Sequence, residues 1–179
     1  MTTRFPLLFS PFSIGGVSFK NRIFSTGHDT SLTHGTPNDA LTEYHRARAK
    51  GGAALIVVEV AGVHKSALYH STTIRADSDD CIPGYRAIAK ACHAYDCRVF
   101  GQLFHAGREV MEMADGTVPA AYSASDTPNE RFHLIPRPMS RRVVASMIEC
   151  YAAAGARMVE AGLDGIEIVA SHGYLPAQF

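Results

Sequence analysis

Apolar and polar positions along the chain fall into a repeating cycle. Residues 12–19, FSIGGVSF, alternate on either side of Gly15-Gly16, a two-residue hairpin signal. After KNR, Ile23-Phe24 form a short apolar strand that enters the polar loop STGHDTSLTHGTPN. Asn38 is placed to cap a helix over DALTEYHRARAKGG, which Gly51 and Gly52 end. AALIVVEV (53–60) is an unbroken, β-branched run of the kind buried on both faces of a parallel sheet. The cycle then repeats. Tyr85, Ile88, Ala89 and Cys92 mark one helical face, and RVFGQLF (98–104) is the next strand. Ser140 caps a helix whose apolar stripe is Val144, Met147, Ile148, Tyr151 and Met158-Val159. Gly162 ends it, and GIEIVA (165–170) is a fourth strand. Residues 107–139 break the rhythm. They are rich in Pro, Ser and Asp and lack periodicity, as long functional or disordered loops do.

Four strands with three intervening helices predict an α/β fold, the N-terminal half of a TIM (β/α)8 barrel preceded by a β-hairpin. A doubly wound sheet is the rival, but no G-x-G-x-x-G follows the first strand. The chain stops before the helix that should follow the fourth strand. All of residues 1–179 is therefore expected to be one (β/α)4 half-barrel, truncated after that strand. On this reading Val58 and Ile168 point inward, and the first and fourth strands carry unpaired edges. Such edges predict a homo-oligomer.

Composition narrows the function. Seventeen basic and seventeen acidic residues give zero formal net charge, so no basic field exists for nucleic acid or an anionic membrane surface. No stretch approaches the roughly twenty apolar residues that span a bilayer. The N-terminal MTTRFPLLFSPF is broken by prolines and serines and reads poorly as a signal peptide. Cys81, Cys92, Cys97 and Cys150 lack C-x-x-C spacing; they read as reduced thiols of a cytoplasmic protein rather than a zinc site or a disulfide framework. No H-E-x-x-H, P-loop or G-x-S-x-G motif occurs, so no metal site is expected.

In a barrel, chemistry belongs at the C-terminal ends of the strands. Those ends read Thr26-Gly27-His28-Asp29, Glu59-Val60, Gln102 through Arg108, and Val169 through Tyr174. Gln102 sits in VFGQLFHAGR, an odd place for an amide without a partner. Two readings stay open: it meets the alternating carbonyl and nitrogen edge of a flavin or pterin, or it fills a barrel layer and bonds to backbone. His105 and His172 both end strands with a glycine close behind, while His34, His64, His70 and His133 fall in loops. Strand-end position singles out His172 as a catalytic candidate.

These same stretches carry a family resemblance. LFSPFSIGGVSFKNRI, RARAKGGAALIVVE, GQLFHAGR and EAGLDGIEIVASHGYLPAQF resemble the Old Yellow Enzyme family of FMN oxidoreductases, nearly end to end and in motif order. The branch they look most like holds 2,4-dienoyl-CoA reductases, trimethylamine dehydrogenase-like enzymes and N-methylproline demethylases. The resemblance implies a TIM barrel with FMN over the strand ends. It implies that Thr26, Gly27 and His28 flank the flavin, that Val60 approaches it through backbone, and that Gln102 bonds its pyrimidine edge. His172 matches the second member of a His-x-x-His or Tyr-x-x-His pair facing substrate, and Tyr174 a tyrosine at the rim of that pocket. Two positions depart from the family. Val169 stands at the first member of the pair and cannot donate to a substrate carbonyl. Asp29 replaces a Cys or Thr near the flavin, where an ionised carboxylate disfavours an anionic reduced ring.

The implied activity is hydride transfer between NAD(P)H, or a small organic substrate, and the flavin. The resemblance also implies four later β/α units that supply a basic side chain near the ring and a phosphate cradle, and an iron–sulfur cluster only in longer relatives. Without those units the chain is expected to hold FMN weakly. The alternative function is a non-catalytic half-barrel that assembles or scaffolds.

Overall fold

The computed structural model describes residues 4–113 and 115–179. A hairpin comes first, β1 (Phe12–Ile14) and β2 (Val17–Phe19), paired antiparallel with Ile14 opposite Val17. Gly15 and Gly16 both have positive φ, +55° and +84°, which a two-residue hairpin turn requires and a side chain resists. Strand β3 (Phe24–Ser25) leads by a loop into α1 (Asp39–Lys50), and β4 (Leu55–Gly62) follows. A two-residue β5 (Ile74–Arg75) precedes α2 (Ile82–His93) and β6 (Arg98–Phe104). The long segment after β6 holds one small parallel pair, β7 (Tyr122–Ser123) and β8 (Arg137–Pro138). Helix α3 (Arg141–Glu160) and β9 (Gly165–Ile168) complete the chain, apart from a final turn at Leu175–Gln178.

The main strands are parallel and lie in chain order, β3-β4-β6-β9, with β5 added beside the end of β4. This is the architecture of half a (β/α)8 barrel preceded by a hairpin. The two helix caps read from the sequence form as expected: Asn38 accepts from the Leu41 amide and Ser140 from the Val143 amide. The main core lies between the sheet and the helices, with Leu41, Ile56, Val58, Tyr85, Ile88, Val99, Leu103 and Met158 buried there. A second core closes the N-terminal end of the strands. There Phe19 of the hairpin packs with Leu55 and Val57, and its ring meets those of Phe12, Phe24 and Phe100 at 5.0, 5.5 and 6.4 Å.

Three sequence expectations need correction. Strand limits shift: the first strand is Phe24–Ser25 rather than Ile23-Phe24, AALIVVEV (53–60) becomes Leu55–Gly62, and GIEIVA ends at Ile168 rather than residue 170. The stripe on α3 is narrower than its periodicity suggests, because Ile148 and Val159 are exposed while Met147, Ala154 and Met158 are buried. Val58 and Ile168 do not point into the barrel: Val58 joins the helix-side core, and Ile168 lines an apolar groove with Met147, Tyr151 and Leu175. A strand buried on both faces has no alternation from which its facing could be read.

The facing of β4 is set by a bulge. Val57 pairs with Phe100 and Val60 with Gln102, so Val58 and Glu59 together oppose the single residue Gly101. The extra residue lets Val57 and Val60 both face the barrel interior. It therefore brings Val60 to the cavity described next.

Candidate active site

A cavity of about 740 Å³ lies at the C-terminal ends of β3, β4, β6 and β9. Its walls include all seven residues singled out by the sequence: Thr26, Gly27, His28, Val60, Gln102, His172 and Tyr174. They come from four different strand ends, which only the parallel sheet brings together.

The floor is built on an absent side chain. A Cβ at Gly27 would lie 2.8 Å from both terminal atoms of Gln102 and 2.9 Å from its Cδ, so the amide lies flat against Gly27. Gln102 is buried, and its Nε2 donates to Glu167 Oε1 at 2.5 Å. Beside it, the Nε2 of His28 is hydrogen-bonded to the Tyr44 hydroxyl, and the Arg48 guanidinium sits 3.3 Å above the Tyr44 ring. Helix α1 thus fixes the histidine ring at the cavity wall.

Asp29 also lines the cavity. It is paired with His70, and this hydrogen bond holds its carboxyl below the usual aspartate range. The Ser31 amide donates to its other oxygen at 2.9 Å. Glu59, behind the bulge, is 2% exposed and accepts from the Thr30 amide at 3.0 Å. Burial pushes its pKa up. The loop after β3 is therefore held by two carboxylates, one its own and one from β4.

The opposite wall is aromatic. Tyr69 and Tyr174 meet edge-on at 6.1 Å, and Tyr174 packs on Phe104 at 5.2 Å over an apolar patch that includes Val169. Burial raises the Tyr174 pKa. His172 is exposed to the cavity with φ +58°, and its Nδ1 is 2.7 Å from Ser171 Oγ. In the tautomer in which Ser171 donates to Nδ1, Nε2 carries the ring proton and is free to donate to a ligand. The final turn is anchored to the loop after β6: the Leu175 amide donates to His105 O at 3.0 Å, and Gln178 Nε2 donates to Ala106 O at 3.4 Å.

His105, the other strand-end histidine, lies outside the cavity. It is fully buried, accepting from the Gly107 amide at 2.9 Å on Nδ1 and reaching Ser66 Oγ at 3.0 Å through Nε2. Burial pushes its pKa down to about 3, so it is a neutral structural group. Two lining residues escaped the sequence reading. Tyr69 lies in a loop with no periodic signal, whereas Glu167 is the lone charge in GIEIVA and faces Gln102 in the ladder.

The profile of one family, described as NADH:flavin oxidoreductase / NADH oxidase, matches residues 7–179. The chain belongs to that family. Among its relatives, a metal reductase of Desulforamulus reducens is 36% identical over 97% of this chain and 26% of its own length. An NADH oxidase of Thermoanaerobacter brockii is 33% identical over 99% of this chain and 28% of its own. In structure, morphinone reductase in complex with tetrahydroNAD superposes with a TM-score of 0.87 at 26% identity, over 96% of this chain and 51% of that one. An Old Yellow Enzyme homologue from Zymomonas mobilis gives 0.84 at 25% identity, over 95% and 50%. The chain thus spans about a quarter to a half of the length of these members of the NADH:flavin oxidoreductase family.

The residues present fit a flavin. The bed formed by Gly27 and Gln102 offers a flat amide edge at the cavity floor, the chemistry that an alternating carbonyl and N–H ring edge requires.

Proposed function

We propose that the strand-end cavity is the substrate-facing half of an FMN site in a flavin-dependent NAD(P)H oxidoreductase. The observation that carries this reading is the Gln102 amide lying flat on Gly27, within a cavity lined from four strand ends of a family fold. Bound there, FMN would supply hydride transfer between NAD(P)H, or a small organic substrate, and its ring. Gln102 and the Thr26–His28 segment would hold the pyrimidine side, with Val60 approaching through backbone. His172 would donate from Nε2 to the substrate atom that gains charge, and Tyr174 with Tyr69 would form an apolar wall that orients the substrate and excludes water. Val169 offers no second donor, so His172 works alone at this strand end. Ionised Asp29 near the ring would disfavour its anionic reduced form. Four free thiols support a reducing compartment such as the cytoplasm.

The walls of the cavity contain no lysine or arginine among the described residues, so the cavity itself offers no cation for the cofactor's phosphate. Titration of the purified chain with FMN and with riboflavin, followed by flavin fluorescence, tests the reading. Weak binding of both with nearly equal affinity is expected. Submicromolar FMN binding would overturn the phosphate argument. No spectral change with either ligand at millimolar concentration would overturn the flavin assignment.

A further inference from the structure

A primary amide offers a ligand two different edges, a carbonyl oxygen and an NH2 group, and a half-turn about its last bond exchanges them. At Gln102 the surroundings reduce this freedom to two states. Both terminal atoms and Cδ are equally close to where a Gly27 Cβ would be, so the amide plane is pressed flat and only a full flip remains. Glu167 decides between the two. Its Oε1 is 2.5 Å from the Gln102 nitrogen, in a ladder that pairs Gln102 directly with Glu167. A carboxylate only accepts, so the flipped amide would set two acceptors against each other.

We propose that Glu167 is a positioning residue that locks the Gln102 amide in one flip state, so that its carbonyl oxygen and its remaining N–H face the cavity in a fixed order. The ligand edge that fits this order is an imide N–H beside a carbonyl, as on the pyrimidine ring of a flavin. This ligand identity rests on the flavin reading above, whereas the locked amide does not. The device uses Glu167 without contact to the reacting atoms. It also accounts for a carboxylate on the barrel side of β9, where the ladder puts it opposite an amide.

Two measurements on the full chain separate the claims. In nitrogen-15 spectra, one side-chain proton of Gln102 is expected downfield and slow to exchange, with Gln178 as the internal comparison and Glu167→Gln and Glu167→Ala as the variants. The signal should move toward the random-coil position in Glu167→Ala. An unmoved signal in that variant, with the fold intact by circular dichroism, overturns the locked amide. The second measurement is FMN titration of Gln102→Glu, Glu167→Gln and the double exchange. Gln102→Glu alone places two carboxylates in contact and should weaken binding about tenfold or more. The double exchange restores an acceptor at 102 held by a donor at 167 but leaves no N–H facing the cavity, so it should recover part of the affinity lost in Gln102→Glu while staying weaker than the parent. A double exchange no better than Gln102→Glu overturns the positioning role. If the parent chain leaves FMN spectrally unchanged, the flavin reading fails and the nitrogen-15 result alone decides whether Glu167 locks the amide.

Discussion

At the scale of single residues, His172 carries the sharpest test. Its φ of +58° is a left-handed conformation that asparagine tolerates better than alanine, so His172→Asn is the cleaner variant. In a protein carrying the remaining barrel strands, it should keep flavin content and melting temperature while slowing substrate-dependent flavin turnover about 10²–10³-fold. Stopped-flow rates within about threefold of the parent would make His172 a structural residue. Two other histidines govern stability. His45 is buried with both ring nitrogens unpartnered among the described residues, and desolvation pushes its pKa down to about 4, as it does that of His105 to about 3. Both groups are neutral in either state above pH 6.5, so neither affects stability there. Below 6.5 the unfolded chain takes up protons that the folded chain refuses until about pH 4 and 3. Each histidine then removes about 1.4 kcal/mol of stability per pH unit. Urea midpoints should therefore fall between pH 6.5 and 4, and His45→Phe should flatten that slope. An equal slope in the variant would refute the assignment.

At the scale of elements, the chain announces its boundaries better than its facings. The caps Asn38 and Ser140, the Gly15-Gly16 turn and the limits of β6 are all legible because each depends on residues within a few positions. The lining of the candidate cavity is legible for the same reason: strand ends are local, and a parallel order carries them to one place. What escaped depends on distant contacts. The bulge in β4 exists only through its pairing with β6, so AALIVVEV gives no sign that Val58 and Glu59 share one side. Tyr69 reaches the cavity only because its ring finds Tyr174, more than a hundred residues away in sequence. The stripe on α3 is half exposed because nothing among the described residues packs on Ile148 and Val159.

At the scale of the whole molecule, the sheet ends in β3 on one side and β9 on the other. Phe24, Ile166 and Ile168 along these edges are 41%, 41% and 54% exposed. Open strand edges flanked by apolar side chains recruit further strands. The isolated chain should therefore form a dimer or larger species at micromolar concentration, and light scattering showing a stable monomer would contradict this. The irregular strand has an effect of another kind, on what changes of length the molecule survives. β6 and β9 pair residue for residue, so losing one position from either would turn every later side chain to the wrong face. β4 carries a spare. Deleting Glu59 would leave Val57 opposite Phe100 and Val60 opposite Gln102, converting the bulge into a regular ladder at the cost of the bond to the Thr30 amide. A deletion scan scored by soluble expression should find tolerance at residues 58–59 and intolerance at 100–103. Of the paired strands in this barrel wall, β4 is where descent can lose a residue while the register of the strands around the cavity is kept.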